Sequence, residues 1–411
     1  MLKIENKLID FTKRYIIFIL MIITTILGLL LRGSGVYVKS DDFRIWLDWW
    51  FSEISNLGVQ SLGKQVGDYN IPYQMIILLI SKVPIFSSLV KYKIVSVMFD
   101  FVLSVSSALL VYELSNRSKI RACFTYIIVF CSLNVVFNSA YWAQCDSIYS
   151  SFIVLGLYFL VKEKNTAAFV MFGISFAFKL QTVFILPFLL LYWFVRQKYS
   201  LLHFLLIPLA DVVFFIPTLF FGRPISDIYS VYINQMQEYS RIQMNAPNIY
   251  AILLSYNRGR CSYLYYSGAS FKWLGIALTF LILISVFVFM IIRNFDLTDK
   301  ENTMAVLIWS LWTIFMFLPF MHDRYGYLLD IILIMTSIVF YRKLYWLFAV
   351  VCNACSVNTA CFFLFRSDVI SLKAVALIYT SFYLLFTAML VYRISGIDFR
   401  RLLQYNRVQS E

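Results

Sequence analysis

Long apolar runs separated by short polar linkers make up most of the chain. A membrane-spanning helix needs about 20 predominantly apolar residues, and many of the runs approach that length. The pattern predicts an all-α polytopic membrane protein with about twelve transmembrane helices (11 to 13), in one integral membrane domain over residues 1–411. The runs lie near residues 15–31, 94–114, 122–140, 145–161, 166–178, 182–195, 201–221, 273–292, 303–320, 326–341, 344–365 and 371–392.

The segment 71–90 is apolar but interrupted by Pro72, Lys82 and Pro84. Proline removes a backbone donor and breaks helices, and irregular backbone is disfavoured in lipid. We therefore interpret this segment as an interfacial or re-entrant helix that does not cross the membrane.

The basic residues between the runs indicate an orientation. If segment 71–90 does not cross, every short basic linker, such as those with Arg117, Arg196 and Arg342, faces the cytoplasm, as the positive-inside rule requires. We therefore expect cytoplasmic N- and C-termini and two long outer loops. These loops are residues 32–93, with interfacial helices, and residues 222–271.

Composition narrows the class further. Hydrophobic residues make up 61% of the chain, charged residues only 14%, and mean hydropathy is +0.78. These values exclude a soluble protein and make the lipid bilayer a partner. The net charge of +13 is spread in small groups between apolar runs, so it indicates membrane orientation and not a nucleic-acid partner.

Cysteine and histidine usage argues against two kinds of site. The seven cysteines are an odd number and lie mostly in apolar runs, so we expect no disulfide framework. His203 and His322 are the only histidines, too few for a histidine-rich metal site. The basic N-terminus precedes an apolar run without a small-residue cleavage motif, which predicts an uncleaved first span.

Two adjacent carboxylates, Asp41 and Asp42, follow the first span. An acid placed just outside the bilayer, opposite several cations, suits a general base. Trp46, Trp49 and Trp50 come next, and we interpret them as an interfacial aromatic belt.

Three basic side chains lie at the outer ends of other spans. Lys179 occupies a polar break in FKLQT, and His322 and Arg324 lie in MHDRY. Charges at such positions must be paired or hydrated, and together they suit a lipid-linked phosphate. The alternative is snorkelling or helix-end pairing, for example between Arg324 and Asp323.

Further polar residues are candidates for orienting a substrate. Gln144 and Asp146 lie at the outer end of a span in YWAQCDSIY, where lipid disfavours polar groups. Tyr69 in DYNIPY and Asn245 and Asn248 in NAPNIY lie in proline-marked turns, for which a structural role is the alternative.

Taken in order, these motifs resemble the bacterial branch of the GT-C membrane glycosyltransferases. The similarity is closest to proteins like the GPI-anchor mannosyltransferases and more distant to the dolichyl-phosphate-sugar-dependent enzymes of N-glycan assembly. It covers residues 40–325. The chain has Asp41 where the family usually has glycine and Asp323 where it has glutamate. The motifs are SDDF, DYNIPY, YWAQCDSIY, FKLQT, NAPNIY and MHDRY.

The resemblance implies an inverting hexosyltransferase on the outer face of a bacterial plasma membrane. Its donor would be a polyprenyl-monophosphate-linked sugar, and its acceptor a hydroxyl of a cell-surface glycan or a lipid-linked molecule. Asp42 would be the general base with Asp41 beside it, and Lys179, His322 and Arg324 would bind the donor phosphate. We expect no cofactor; a divalent cation held by the two aspartates is the alternative.

Two other functions are open from the residues. One is a flippase or transporter of lipid-linked saccharides, which needs polar residues through both leaflets. Asp211 is the one strongly buried acid away from the outer face, with Asp100 near the outer end of its span, and this asymmetry favours an enzyme. The other is a glycan polymerase or ligase, which takes donors on diphosphate carriers.

Overall fold

The structure is a computed structural model, and it describes residues 3–238, 242–253, 256–257, 260–261, 268–367 and 369–396. Helices dominate these residues, which confirms the all-α class. The α-helices are α1 (Lys3–Gly35), α2 (Asp48–Leu57), α3 (Ile71–Ser81), α4 (Ser88–Leu114), α5 (Lys119–Cys131), α6 (Leu133–Val136), α7 (Asp146–Val161), α8 (Asn165–Phe178), α9 (Leu186–Arg196), α10 (Leu206–Leu219), α11 (Asp227–Glu238), α12 (Ile249–Leu253), α13 (Gly268–Ile292), α14 (Lys300–Phe317), α15 (Tyr327–Phe340), α16 (Lys343–Phe365) and α17 (Leu372–Ser395).

The number of full-length spans is lower than the number of apolar runs. Among the described residues, six helical segments are long and apolar enough to cross a membrane: Ile4–Gly35, Ser88–Leu114, Leu201–Leu219, Lys272–Ile292, Lys343–Phe365 and Leu372–Ser395. The pair α5 and Leu133–Tyr141, bent by 47°, makes up to seven. The prediction of about twelve spans was a count of apolar runs. Several of these runs form helices of fewer than 18 residues.

Burial explains why short helices are tolerated. Helix α15 has only 14 residues, and every residue from Tyr327 to Val339 is buried. In α14 all residues from Met304 to Met316 are buried, with Trp309 and Trp312 fully enclosed. Helices surrounded by protein do not have to match the thickness of the hydrocarbon layer, which is about 30 Å.

Segment 71–90 contains a short helix followed by a break. Helix α3 has 11 residues, or about 16 Å at the usual rise per residue, which is too short to span the bilayer. It begins at the Asn70 cap, whose side chain accepts a hydrogen bond from the Ile71 amide (2.8 Å), and it ends before Pro84. This agrees with a segment that does not cross.

Helix α1 lies at the periphery and is held by a buried ion pair. In its span window only 11% of the residues are buried. Near its end, the Arg32 guanidinium donates to Asp100 Oδ2 (2.9 Å) and to the Phe130 carbonyl (2.8 Å). Gly28 lets the helix approach the Phe130 ring, which a Cβ would meet at 2.6 Å.

One pair of short strands connects the second long loop with the segment after α14, and another lies within that loop. Strand β1 (Gln243–Met244) pairs in parallel with β4 (Met321–His322), and β2 (Tyr256–Asn257) pairs antiparallel with β3 (Arg260–Cys261). The β1–β4 pair holds residues 321–325 against the second long loop. The six cysteines whose side chains are described are free.

Candidate active site

A cavity of about 570 Å³ lies where both long loops meet the ends of α9, α13 and α14. Its lining has a polar part, called the polar wall, which carries most of the candidate residues, and a larger apolar part. The lining residues are Asp42, Trp46, Leu47, Trp50, Asp68, Tyr69, Trp142, Gln144, Lys179, Leu180, Gln181, Val183, Phe184, Gln235, Lys272, Trp273, Ile276, Leu318, Pro319, Phe320, Met321, His322, Arg324, Tyr325 and Phe363.

Asp42 lies at the centre of the polar wall. Its Oδ2 accepts hydrogen bonds from Trp142 Nε1 (2.9 Å), from the Gln144 amide and from Arg324 Nη1 (2.9 Å). The hydroxyl of Ser40 donates to the Trp142 carbonyl (2.8 Å) and so fastens the loop that carries Asp42. Three donors on one oxygen fix the carboxylate, which remains 25% exposed.

Asp41 points to a different environment. Its carboxylate pairs with Arg366, both side chains are exposed, and neither residue lines the cavity. The structure therefore separates the two adjacent aspartates, and only Asp42 faces the candidate site.

Lys179 is buried and neutralised. It lies in extended backbone (φ −156°) directly after α8, and its side chain is only 3% exposed. Its ammonium pairs with Asp146 Oδ1 and lies 5.5 Å from the ring centroids of both Tyr69 and Tyr149. Asp146 also accepts from Asn138 Nδ2 (2.7 Å) and lies behind the cavity wall.

Arg324 connects the two carboxylates. Its Nη1 contacts Asp42 Oδ2 at 2.9 Å, its Nε lies 3.9 Å from Asp146 Oδ2, and its guanidinium lies 5.7 Å from the Trp142 ring. Asp323 accepts instead from the Arg324 backbone amide (2.9 Å). The helix-end pair between these two side chains is therefore not formed.

The two residues that precede Arg324, His322 and Asp323, have shifted pKa values. Burial raises the pKa of Asp323 to about 7, against the opposing charge of Arg324. Burial, together with the charges of Arg324 and Lys179, lowers the pKa of His322 well below its ordinary value. At neutral pH His322 is therefore an uncharged hydrogen-bonding group, not a cation as the sequence suggested.

The two asparagines of NAPNIY do not reach the cavity wall. Asn248 is fully buried; its Oδ1 accepts from the Tyr250 amide (3.1 Å) and its Nδ2 donates to the Phe315 carbonyl (3.3 Å). Asn245 adopts a left-handed conformation (φ +63°) and forms a β-bridge with His322. Both hold the second loop in place, which is the structural alternative raised for them.

Tyr69 and Gln144 form the remaining polar part of the predicted set. The Tyr69 hydroxyl donates to Gln144 Oε1 (3.2 Å), and Gln144 in turn donates to Asp42. Both line the cavity, so a substrate there meets a connected series of polar groups.

Several lining residues were missed by the sequence analysis. Lys272, at the start of α13, lies over the Phe320 ring (5.4 Å) and the Trp273 ring (5.7 Å) and forms no ion pair with the described residues. Trp46 and Trp50 also line the cavity, so they are not only a membrane belt. Lys272 precedes an apolar run, just as Lys179 follows one. The sequence alone could therefore have identified Lys272 as a candidate.

The donor set does not favour a metal site. In the described part of the chain, no group of three or more His, Cys, Asp or Glu side chains is placed to hold a metal ion. Asp41 and Asp42, the pair considered as cation ligands, face Arg366 and Arg324 respectively and do not converge.

Comparison with known proteins gives the family. The model of glycosyltransferase family 87 matches residues 69–319, more than half of the chain, and this matched segment includes YWAQCDSIY, FKLQT, NAPNIY and all of DYNIPY except Asp68. No curated protein matches the chain. The closer similarity to GPI-anchor mannosyltransferases stays a prediction. The chain belongs to glycosyltransferase family 87, a GT-C-type family of membrane glycosyltransferases.

Proposed function

We propose that this glycosyltransferase moves a hexose-type sugar, with inversion, from a polyprenyl monophosphate to a hydroxyl of a cell-surface glycan or lipid-linked acceptor. The observation that carries the proposal is the Asp42 carboxylate, fixed at the cavity wall by Trp142, Gln144 and Arg324. A positioned carboxylate beside a cation is the arrangement that hydroxyl deprotonation and phosphate departure need together.

The proposed step is a single displacement at the anomeric carbon. The acceptor oxygen forms a bond to that carbon while the bond to the phosphate oxygen breaks, and its electron pair leaves with the polyprenyl phosphate. The hydroxyl proton passes to Asp42. All three hydrogen bonds reach Oδ2, so Oδ1 is the atom assigned to receive the proton.

The leaving phosphate gains negative charge as the bond breaks, since a diester anion becomes a monoester. Fixed cations stabilise that change. We assign this role to Arg324 and add Lys272, because both line the cavity and Lys272 forms no ion pair with the described residues. Lys179 is a positioning residue, because it neutralises Asp146 behind the wall.

An apolar wall supports a lipid donor. Val183, Phe184, Trp273, Ile276 and Leu318 belong to the apolar part of the cavity lining. Trp273 is also 65% exposed, so apolar surface continues from this lining to the outside of the protein. A polyprenyl chain extends from such a wall into the bilayer without crossing a polar barrier.

We further propose that the cavity opens on the outer face of a bacterial plasma membrane, with both termini cytoplasmic. The support is the basic linkers, which share one side when segment 71–90 does not cross. A cysteine introduced at exposed Trp49 tests this, because outside-only labelling by a membrane-impermeant thiol reagent is expected. Labelling only after permeabilisation would overturn the orientation.

The decisive experiment incubates purified protein with a panel of radiolabelled sugars on polyprenyl monophosphate and diphosphate carriers. Release of polyprenyl monophosphate together with a glycosylated acceptor is expected. Turnover of diphosphate donors alone would favour the polymerase or ligase alternative. Membership of a glycosyltransferase family disfavours a flippase, and movement of intact donor across vesicles without transfer would reopen that alternative.

A further inference from the structure

Two adjoining cavities lie at the other end of the helices that build the candidate site. The first, of about 630 Å³, is lined by the end of α9 and the segment from Met290 to Thr298. The second, of about 190 Å³, extends inward between α4, α7, α9 and α14. The two cavities adjoin, because four residues line both of them: Arg196, Lys198, Leu297 and Thr298.

Helices α9 and α13 both run from the active-site cavity to these two cavities. Phe184, just before α9, and Lys272, near the start of α13, line the active-site cavity. Arg196 at the end of α9 and Ile291 at the end of α13 line the opposite cavities. Helix α13 has 25 residues, or about 37 Å, so the two sites lie at opposite ends of a helix long enough to span a bilayer.

The lining has a cationic excess at its entrance. It contains the cations Arg196, Lys198 and Lys300 and the acids Glu163 and Asp296. Lys198 pairs with Glu163 at 3.1 Å, on exposed side chains. Asp296 is occupied by Thr298, whose amide (2.7 Å) and hydroxyl (2.8 Å) both donate to its carboxylate.

Arg196 has a donor that is not used by the protein. Its guanidinium lies 6.0 Å from the Tyr192 ring centroid and its charge acts on Asp296, but it forms no ion pair within 4 Å with the described residues, and its buried Nε has no hydrogen-bond partner among them. A guanidinium holds five donors in a fork that matches a phosphate. An unsatisfied donor of this kind in a cavity is a cost that an anionic ligand removes.

The inner cavity supplies the second part of a binding site. Part of its lining is apolar and consists of Leu110, Leu157, Phe188, Met304 and Leu307, whereas Asn165, Lys300 and Thr303 are among its polar residues. A phosphate at Arg196 thus lies beside a chamber whose lining is partly apolar. That combination matches a phospholipid, and basic pockets between helices near a membrane surface are typical sites for anionic headgroups.

We propose that Arg196 and Lys198 bind the headgroup phosphate of an anionic phospholipid, one of whose acyl chains enters the chamber lined by Leu110, Leu157 and Met304. The site is separate from the transfer site, and its ligand is a structural or regulatory lipid and not a sugar donor.

Binding is measured by native mass spectrometry of the detergent-purified full chain titrated with phosphatidylglycerol, with phosphatidylcholine as the uncharged comparison. We expect one phosphatidylglycerol to bind, and Arg196→Gln to weaken it about tenfold or more, as expected for one lost charge-assisted hydrogen bond. Lys198→Gln, at a side chain 47% exposed, gives a second variant whose folding does not depend on the cavity.

Arg117→Gln is the matched control. Arg117 follows α4 at the same end of the molecule, is 73% exposed and lines neither cavity. Equal loss in this control, or equal binding of phosphatidylcholine, would overturn the site. Competition by millimolar glycerol phosphate would overturn the lipid assignment in favour of a soluble phosphate compound. Wild-type affinity in both Arg196→Gln and Lys198→Gln would overturn the proposal outright.

Discussion

Replacing Asp42 with asparagine tests the proposed base most directly. The change keeps the size of the side chain, and its remaining carbonyl oxygen still accepts hydrogen bonds from Trp142 and Gln144. It removes the charge that faces Arg324 at 2.9 Å and the oxygen that receives the acceptor proton. The variant should therefore keep the position of the side chain at residue 42 and lose its ability to accept a proton.

The expected loss follows from that chemistry. General-base catalysis contributes about 10²- to 10⁴-fold, so kcat should fall by that factor, equivalent to about 3 to 5.5 kcal/mol. The lost charge-assisted hydrogen bond costs about 1.5 to 3 kcal/mol of stability, less than a typical domain's total. The variant should therefore remain folded, with a donor KM close to that of the wild type.

The assay is initial-rate transfer of radiolabelled sugar by purified protein, with thermal unfolding measured in parallel. Asp41→Asn is the control, since that neighbour pairs with exposed Arg366 outside the cavity and should keep activity within a few-fold. Wild-type kcat in a folded Asp42→Asn variant would refute the assignment. Equal losses of kcat in both variants would show that the different environments of Asp41 and Asp42 do not decide which of them acts in catalysis.

Four other outcomes are expected. Lys179→Ala should lower the free energy of unfolding by about 3 to 5 kcal/mol, because it leaves Asp146 buried without its cation, as chemical denaturation can show. Lys272→Ala should reduce kcat/KM for the donor about ten- to hundredfold without lowering the melting temperature. The pKa of Asp323, raised to about 7, means that the native state holds a proton which the unfolded chain releases near pH 4, so stability should fall as pH rises from about 4 to 7. Activity should survive EDTA, because the two adjacent aspartates do not converge.

Three of these outcomes have a control or a result that would contradict them. Lys64→Ala removes an exposed cation paired with Glu53 and should not change donor use, in contrast to Lys272→Ala. Asp323→Asn should reduce the fall in melting temperature between pH 4 and 7, because other buried carboxyls contribute to the same fall; an unchanged slope would remove Asp323 as a contributor. Activity lost in EDTA and restored by Mg²⁺ or Mn²⁺ would revive the cation alternative.

Several residues singled out from the sequence line one cavity, because polar groups at the ends of apolar runs stand where lipid disfavours them. Asp42, Tyr69, Gln144 and Lys179 are far apart in the chain, yet each lies at a polar break beside an apolar run, and each reaches the cavity. Local pattern was sufficient here, because a span end confines its neighbours to one membrane surface.

The local sequence pattern could not predict which charged side chains pair with each other in the folded protein. Whether Lys179 offers a free charge depends on Asp146, and whether Arg324 joins Asp323 or Asp42 depends on how the loop after α14 packs. Asn248 likewise satisfies the backbone of Phe315 from a distant helix. Periodicity also could not separate full-length spans from shorter buried helices, since a buried helix such as α15 is as apolar as a lipid-facing one.

The buried pair between Arg32 and Asp100 has a consequence for biosynthesis. The partners are 68 residues apart, and ribosomes add about 5 to 20 residues per second, so roughly 3 to 14 s separate their emergence. During that interval α1 is already long enough to insert, with its arginine at the membrane surface. The buried contact between α1 and α4 can therefore form only after α4 has been synthesised, and until then Arg32 lacks its carboxylate partner.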